Sequence, residues 1–211
     1  VASYQEYSDN LTQVGDPAKV DVITGATVAH QQFVQAAIRA IAAAQGVSPD
    51  GADDIDIPGL NDSKKLTEKK RETLYEVITA QAVAYSVARV EAAEIDEMDI
   101  LNARMLAMQK AIDGLTVRPD LAFIDGNRDH GSRYAIQIPH QLIVGGDGKS
   151  ASIAAASILA KVSRDRYVST ELDAKYPQYQ FAKHKGYGTK LHYQMLDQYG
   201  PCPEHRMTFL K

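Results

Sequence analysis

The sequence predicts an α/β fold in which helices alternate with short buried strands. Two short apolar segments, residues 121–124 and 142–144, are each followed by glycine and a carboxylate. The first ends at Asp125 and Gly126, and the second ends at two glycines and Asp147. Helical patterns lie before and after both segments. This alternation is typical of an α/β layer whose functional site lies at the carboxyl ends of the strands.

The first part of the chain differs in composition from the rest. Residues 1–62 carry two Lys or Arg against nine Asp or Glu, whereas the remainder has a small positive balance. Hydrophobic spacing predicts a helix over residues 27–45, and residues 46–56 (GVSPDGADDID) have the composition of a linker. We therefore expect an N-terminal segment over residues 1–45, that linker, and a main domain over residues 57–211.

The main domain shows a mixture of helical and strand patterns. Thr67 is a residue type that commonly caps the start of a helix, and Gly200-Pro201 is a pair that commonly ends one. Residues 81–90 alternate and are rich in β-branched and small apolar residues, which favours a strand. The predicted elements, in chain order, are helix 67–79, strand 81–90, helix 95–115, strands 121–124 and 142–144, and helices 150–168 and 189–199.

Composition excludes several classes of protein. The 211 residues include one cysteine, Cys202, so an internal disulfide framework is excluded and we expect a cytoplasmic location. No stretch approaches the roughly 18 apolar residues of a membrane span, so we expect no membrane partner. The net charge of −4 does not exclude a nucleic-acid partner, because phosphate binding depends on local positive patches.

Asp125 and Asp147 are the candidate catalytic residues. Two carboxylates at neighbouring strand ends form a hard-oxygen site suited to Mg²⁺ or Mn²⁺. In phosphoryl transfer such ions activate the attacking water and stabilise the leaving oxygen. The alternative is that both acids only shape turns or cap helices, since Asp next to Gly is common in turns.

Basic and hydroxyl-bearing segments supply candidate phosphate contacts. Ser63 and Lys64 precede a helix, where a hydroxyl, backbone N–H groups and a cation can hold a phosphate. Tyr187 lies between two glycines beside cations and can stack on a sugar or base. Lys161 lies on a basic helical segment. Taken singly, each of these residues is explained by a solvated surface or an ordinary helix cap. Together with the carboxylates they indicate a metal-dependent enzyme acting on nucleic-acid phosphates.

These segments resemble the bacterial ribonuclease HII family, the type 2 ribonucleases H, over about residues 57–209. The resemblance implies a ribonuclease-H-like fold, with a mixed sheet flanked by helices and its first strands replaced by a mostly helical N-terminal segment. The matching stretches are GLNDSKKLTEKKR (59–71), EIDEMDILNARMLAM (94–108), FIDGNR (123–128), GDGKSASIAAASILAKVSRDR (146–166), YPQYQFAKHKGYGT (176–189) and GPCPEHRMTF (200–209).

The resemblance also implies a function. The family cleaves the RNA strand of RNA–DNA hybrids, and cuts at ribonucleotides embedded in duplex DNA, with four carboxylates and two divalent metal ions. Asp125 and Asp147 match the third and fourth of these acids. Ser63 and Lys64 match a phosphate-contacting segment, and Tyr187 matches a tyrosine that helps to sense the RNA–DNA junction. The expected partner is therefore hybrid or ribonucleotide-containing duplex, and the expected cofactor is Mg²⁺ or Mn²⁺.

The chain departs from the family pattern at its start. The family opens with a strand reading approximately G-[IV]-D-E-x-G-R-G, and nothing in residues 1–56 matches it. Two of the four carboxylates are thus missing, so an alternative is a module that binds hybrids through Ser63, Lys64, Lys161 and Tyr187 without turnover. The loss of strands also exposes a sheet edge, so an oligomer is the alternative to the expected monomer. Four single positions also differ from the family pattern. This chain has Asp99 where the family usually has Asn, Arg104 where it has Thr, Gly145 where it has Lys, and Gln180 where it has Gly.

A second resemblance concerns the N-terminal segment. Residues 19–41 are similar to the flavinylation segment of an FMN-binding domain, and the pattern D-x-x-[ST]-G-A-[ST] is complete over residues 21–27. The resemblance implies FMN attached to Thr27 through a phosphoester, in a fragment of a flavinylated electron carrier. The alternative is that Thr27 only caps the helix predicted over residues 27–45.

Overall fold

The structure of the chain is a computed structural model that describes part of the sequence. The described residues are 57–127, 129 and 131–210. They form two compact units, one built from residues 57–90 and 101–163 and the other from residues 91–100 and 164–210. The N-terminal segment, the linker and the helix predicted over residues 27–45 lie outside the described residues.

The described residues form a helix-rich α/β structure. The helices and strands are α1 (Glu68–Gln81), α2 (Ala92–Met98), α3 (Ile100–Asp113), β1 (Ala122–Asp125), β2 (His140–Ile143), α4 (Ala151–Tyr167), α5 (Asp173–Lys175), α6 (Phe181–His184) and α7 (Lys190–Tyr199). Short 3-10 helices lie at Ser63–Lys65, Gly146–Gly148, Pro177–Tyr179 and Met207–Phe209, and a π-helical turn at Val168–Leu172 follows α4. No helix in the described part of the chain is long and apolar enough to cross a membrane.

Helix α1 begins where its capping residue predicts. Oγ1 of Thr67 accepts a hydrogen bond from the N–H of Lys70 over 3.3 Å, which satisfies one of the donors left open at a helix start. On the inner face, Leu74 and Ile78 are buried in a core cluster that includes Ile158 of α4. The predicted helix over residues 67–79 is thus confirmed.

The sheet in the described residues consists of two parallel strands. Residue 122 of β1 pairs with residue 140 of β2, and Asp125 pairs with Ile143. The core on this sheet contains Ile124 together with Met105 and Met108 of α3. Parallel strands need a long connection that carries the chain back to the same end of the sheet, so both strands end at the same edge.

Helix α4 is rich in alanine because it runs through the interior. Residues 152–160 are all buried, and small side chains allow neighbouring elements to approach the helix closely. The predicted helix over residues 150–168 is confirmed. Its last turn continues directly into the π-helical turn Val168–Leu172.

Two predicted elements differ from the structure. The helix predicted over residues 95–115 is divided into α2 and α3 at Asp99, whose φ of 76° is incompatible with a continuous helix. The strand predicted over residues 81–90 was wrong: this segment is irregular after residue 81. Its composition favours extended backbone, but a strand also needs a hydrogen-bonded partner, and the described sheet contains only β1 and β2.

The second unit has its own core and a helix that matches the sequence prediction. Phe181, Leu172 and Leu196 are buried in one cluster. Helix α7 starts at a side-chain cap from Thr189 and ends at Gly200, whose φ of 70° stops the helix. The helix predicted over residues 189–199 is confirmed.

Candidate functional site

The two predicted carboxylates lie at one edge of the sheet. Asp125 is the last residue of β1 and pairs in register with Ile143, the last residue of β2. Asp147 follows β2 in the short 3-10 helix Gly146–Gly148. Because the strands are parallel, both acids stand at the carboxyl ends of the strands, and both are half-buried.

A hydrogen bond joins the first carboxylate to the segment that carries the second. The N–H of Gly146 donates to Oδ1 of Asp125 over 2.8 Å. A Cβ atom added at Gly146 would lie 2.4 Å from Cδ1 of Ile153, so a larger residue fits only if that side chain moves. The preceding Gly145 has a φ of 64°, in the left-handed region that glycine adopts readily. Gly146 therefore lets this turn lie against Ile153 while its N–H bonds to Asp125.

The charge of a third carboxylate, Asp62, acts on Asp147. Burial raises the pKa of Asp147 above its ordinary value, the negative charges of Asp62 and Asp125 raise it further, and a side-chain hydrogen bond with Asp62 adds to the effect. The positive charge of Lys64 acts in the opposite direction. Such shifts arise when acids are held close together. Asp62 is not among the residues predicted for the site, although it lies directly before the predicted phosphate-contacting segment.

The segment Ser63–Lys65 presents a cation beside the acids. Oδ1 of Asp62 caps this 3-10 turn by accepting the N–H of Lys64 over 2.9 Å. Ser63 is buried, and its backbone carbonyl accepts a hydrogen bond of 2.9 Å from Arg71. The Lys64 side chain is exposed. The turn is thus fixed by local bonds, and the structure brings Lys64 together with the predicted carboxylates.

The other predicted site residues lie elsewhere along the chain. Lys161 is half-buried in α4, in the unit that contains the carboxylates. Tyr187 is a half-buried residue of the other unit, and Cζ of Arg164 lies 4.8 Å from the centroid of its ring. Thr27 lies outside the described residues, so flavin attachment there stays a prediction.

Comparison with known proteins shows the family of this chain. Residues 39–211 match the family model described as Ribonuclease HII. The chain is 53% identical over 155 residues to the ribonuclease HII of Caldicellulosiruptor bescii, and the alignment covers 74% of this chain and 73% of that relative. The chain belongs to the ribonuclease HII family.

Further matches agree with this assignment. The ribonuclease HII of Shewanella amazonensis is 54% identical over 155 residues, with 72% of each chain covered. A crystal structure of the ribonuclease H2 from Pyrococcus horikoshii OT3 matches with a TM-score of 0.56 and 27% identity, covering 71% of this chain and 76% of that chain. These findings confirm three predictions: the ribonuclease HII family, the ribonuclease-H-like fold and the type 2 ribonuclease H class of hydrolase. The domain boundaries and the FMN resemblance stay predictions.

The acids at the strand ends supply the kind of oxygen donor that a divalent ion prefers, but they do not supply all of its ligands. Carboxylate oxygens are the donors that Mg²⁺ and Mn²⁺ prefer, and Mg²⁺ is commonly held by one or two carboxylates together with waters and substrate phosphates. Among the described residues, no group of three or more His, Cys, Asp or Glu side chains is arranged to hold a metal ion. Asp125 and Asp147 therefore fit as part of a metal site that needs further oxygen donors.

Proposed function

We propose that this member of the ribonuclease HII family is a divalent-metal-dependent endoribonuclease. Its substrates are the RNA strand of RNA–DNA hybrids and ribonucleotides embedded in duplex DNA. The observation that carries the proposal is the meeting of Asp125 and Asp147 at the ends of two parallel strands, with the Lys64 cation beside them.

The chemistry is hydrolysis of one phosphodiester bond. A water oxygen attacks the phosphorus, the bond from phosphorus to the 3′ oxygen breaks, and the products carry a 5′-phosphate and a 3′-hydroxyl. Asp125 and Asp147 would hold the metal, which when bound activates the water and stabilises the leaving oxygen. The Gly146 N–H keeps the Asp125 carboxylate in one orientation before substrate arrives, which reduces the reorganisation needed during reaction.

The remaining predicted residues bind the nucleic acid. Lys64 neutralises a backbone phosphate close to the acids, and the fixed turn Ser63–Lys65 keeps it there. Lys161 adds a further phosphate contact. Tyr187 stacks on the sugar at the RNA–DNA junction, where the 2′-hydroxyl distinguishes ribose from deoxyribose. Binding is therefore expected to weaken as salt concentration rises.

One observation favours a second candidate function, a hybrid-binding module without turnover. The described residues do not supply three metal-ligating side chains in one group. A site with two carboxylates binds a divalent ion less strongly than one with four, because fewer negative charges attract the cation. Duplex binding without product formation is the signature of this alternative.

A cleavage assay with the full chain separates the two candidates. The substrates are an end-labelled DNA duplex with one embedded ribonucleotide, a fully hybrid duplex and an all-DNA duplex, each with Mg²⁺, Mn²⁺ or EDTA. The proposal predicts metal-dependent cuts in the first two substrates, with a 5′-phosphate on the downstream product. Binding of all ribonucleotide-containing duplexes without any cut would instead support the binding module.

A further inference from the structure

The loop that carries Tyr187 is held by a buried arginine. Arg164 is 1% exposed, and its Cζ lies 4.8 Å from the centroid of the Tyr187 ring. One guanidinium nitrogen donates to Oδ1 of Asp165 over 2.8 Å, and another donates to the backbone carbonyl of Lys185. Because a guanidinium is a planar fork of donors, these bonds fix its plane as well as its position. The guanidinium surface against which the Tyr187 ring packs is therefore held in a fixed orientation.

A second anchor acts on the backbone of the same tyrosine. Nδ1 of His192 lies 3.0 Å from the carbonyl oxygen of Tyr187. Since a carbonyl only accepts, Nδ1 of His192 must carry the proton, and Nε2 of the neutral ring must then be an acceptor. That Nε2 lies 3.1 Å from Nε2 of His205, which is therefore protonated. Nδ1 of His205 in turn accepts the N–H of Cys202 over 3.0 Å.

The chain of bonds has one direction, from Cys202 through both imidazoles to Tyr187. Burial keeps both rings uncharged, because it lowers the pKa of His192 to about 3 and that of His205 to about 4. His184 stacks on His192 with ring centroids 4.3 Å apart and accepts the N–H of Gly186. The loop around Tyr187 is thus held at its carbonyl, at its ring and at the preceding glycine.

We propose that Arg164 and His192 are positioning residues that hold the Tyr187 ring in the orientation needed to recognise a ribonucleotide. Arg164 supports the ring from one face, and His192 fixes the peptide that follows the tyrosine. Neither residue contacts substrate. This inference rests on the proposed function, in which Tyr187 reads the junction sugar. The inference adds that selectivity for ribose depends on two buried residues, Arg164 and His192, which do not themselves contact the bases or the sugar.

Selectivity in binding provides the test, since it requires no turnover. The quantity is the ratio of dissociation constants for an all-DNA duplex and the same duplex with one ribonucleotide, measured with the full chain in Ca²⁺. R164K keeps the charge but loses the planar fork, and H192L loses the donor to Tyr187. We expect each to lower the ratio about fivefold or more, as Y187A does, with no further loss when combined with Y187A.

Two matched variants control for a merely structural effect. H192N places an amide N–H near the position of Nδ1, so it is expected to restore the ratio that H192L lowers. Arg166 is exposed on the same helix, so R166K is expected to leave the ratio unchanged. Thermal unfolding identifies any variant that fails to fold, and ¹³C-tyrosine NMR shows whether R164K shifts the Tyr187 ring resonance while R166K does not.

Several outcomes would overturn the inference. They are an unchanged ratio and an unchanged Tyr187 resonance in folded R164K, losses that add fully to that of Y187A, or a Y187A variant that keeps the wild-type ratio. A chain that binds selectively in Ca²⁺ but never cuts would refute only the proposed function, because the positioning test is complete without cleavage.

Discussion

The carboxylate of Asp125 accepts the N–H of Gly146 over 2.8 Å, so the end of β1 is bonded directly to the residue before Asp147. This bond couples the positions of the two candidate metal ligands. Gly146 has no side chain at a place where a Cβ would lie 2.4 Å from Cδ1 of Ile153. The placement of the two acids therefore depends on a close contact between this turn and α4.

That contact yields a prediction in which a second substitution restores the activity lost by the first. Gly146→Ala forces Ile153 and the turn apart, and a small displacement of a catalytic group lowers turnover by about tenfold to a hundredfold. Adding Ile153→Val removes Cδ1 and is expected to restore most of the activity. The measurement is kcat on the duplex with one ribonucleotide for both single variants and the double variant. Equal activity of the single and double Gly146 variants would show that this contact does not place the acids.

Asp62 supplies the second prediction. In Asp62→Asn the amide oxygen can still cap the Ser63–Lys65 turn, but one negative charge beside Asp147 is lost. We expect Mn²⁺ binding to the free chain to weaken about tenfold, since attraction between a dication and a nearby carboxylate is reduced. Calorimetric titration with Mn²⁺ in the absence of nucleic acid measures this. Asp120→Asn, an exposed acid before β1, is the control and should bind Mn²⁺ as the wild type does.

The histidine pair makes stability dependent on pH. His192 and His205 have pKa values of about 3 and about 4 in the folded chain, because burial disfavours the charged ring. Their unfolded pKa is about 6.5, so the unfolded state binds protons first as pH falls. The stabilisation is complete above about pH 6.5 and is lost as pH falls towards 4.

Urea unfolding at pH 7 and pH 5 measures this loss. Each histidine is expected to lower the free energy of unfolding by roughly 1–2 kcal/mol between these two pH values. The His192→Asn variant has one titrating ring fewer, so its loss between the two pH values should be smaller. A wild type and a variant that lose the same free energy would contradict the assignment of a neutral buried His192.

Gln180 provides a prediction about backbone strain. It has φ 56° and ψ 43°, the left-handed conformation that glycine adopts readily. Residues other than glycine are disfavoured in this conformation. Gln180→Gly is therefore expected to raise the free energy of unfolding by about 0.5–1 kcal/mol. Gln180→Ala keeps the strain and is the control. Chemical denaturation of both variants checks this, and a glycine variant no more stable than the alanine variant would refute it.

Features set by local chemistry were predictable from the sequence. Thr67 marked the start of α1 because a cap needs only a side chain and the next three residues. The apolar segments before Asp125 and Asp147 marked two strands, because a short apolar run followed by glycine is itself a local pattern. The alanine-rich composition of residues 150–168 marked a helix for the same reason.

Features that depend on distant contacts were not predictable. Asp62 lies far from Asp147 in sequence, and only the fold brings the two carboxylates together. The pairing of His192 with His205 likewise follows from tertiary packing, because their spacing in the sequence matches no motif that would predict a contact. The positive φ of Asp99 divided a helix whose hydrophobic pattern was continuous. In each case the sequence contained the residue, and its environment determined its role.

In the proposed function, Asp125 and Asp147 form the metal-dependent centre of this ribonuclease HII family member. The most direct test is metal-dependent cleavage of a DNA duplex with one ribonucleotide by the wild type, Asp125→Asn and the control Asp120→Asn. We predict cuts by the wild type and the control in Mg²⁺ or Mn²⁺, none in EDTA, and at least about a hundredfold slower cleavage by Asp125→Asn. Cleavage by Asp125→Asn at the wild-type rate would contradict the claim.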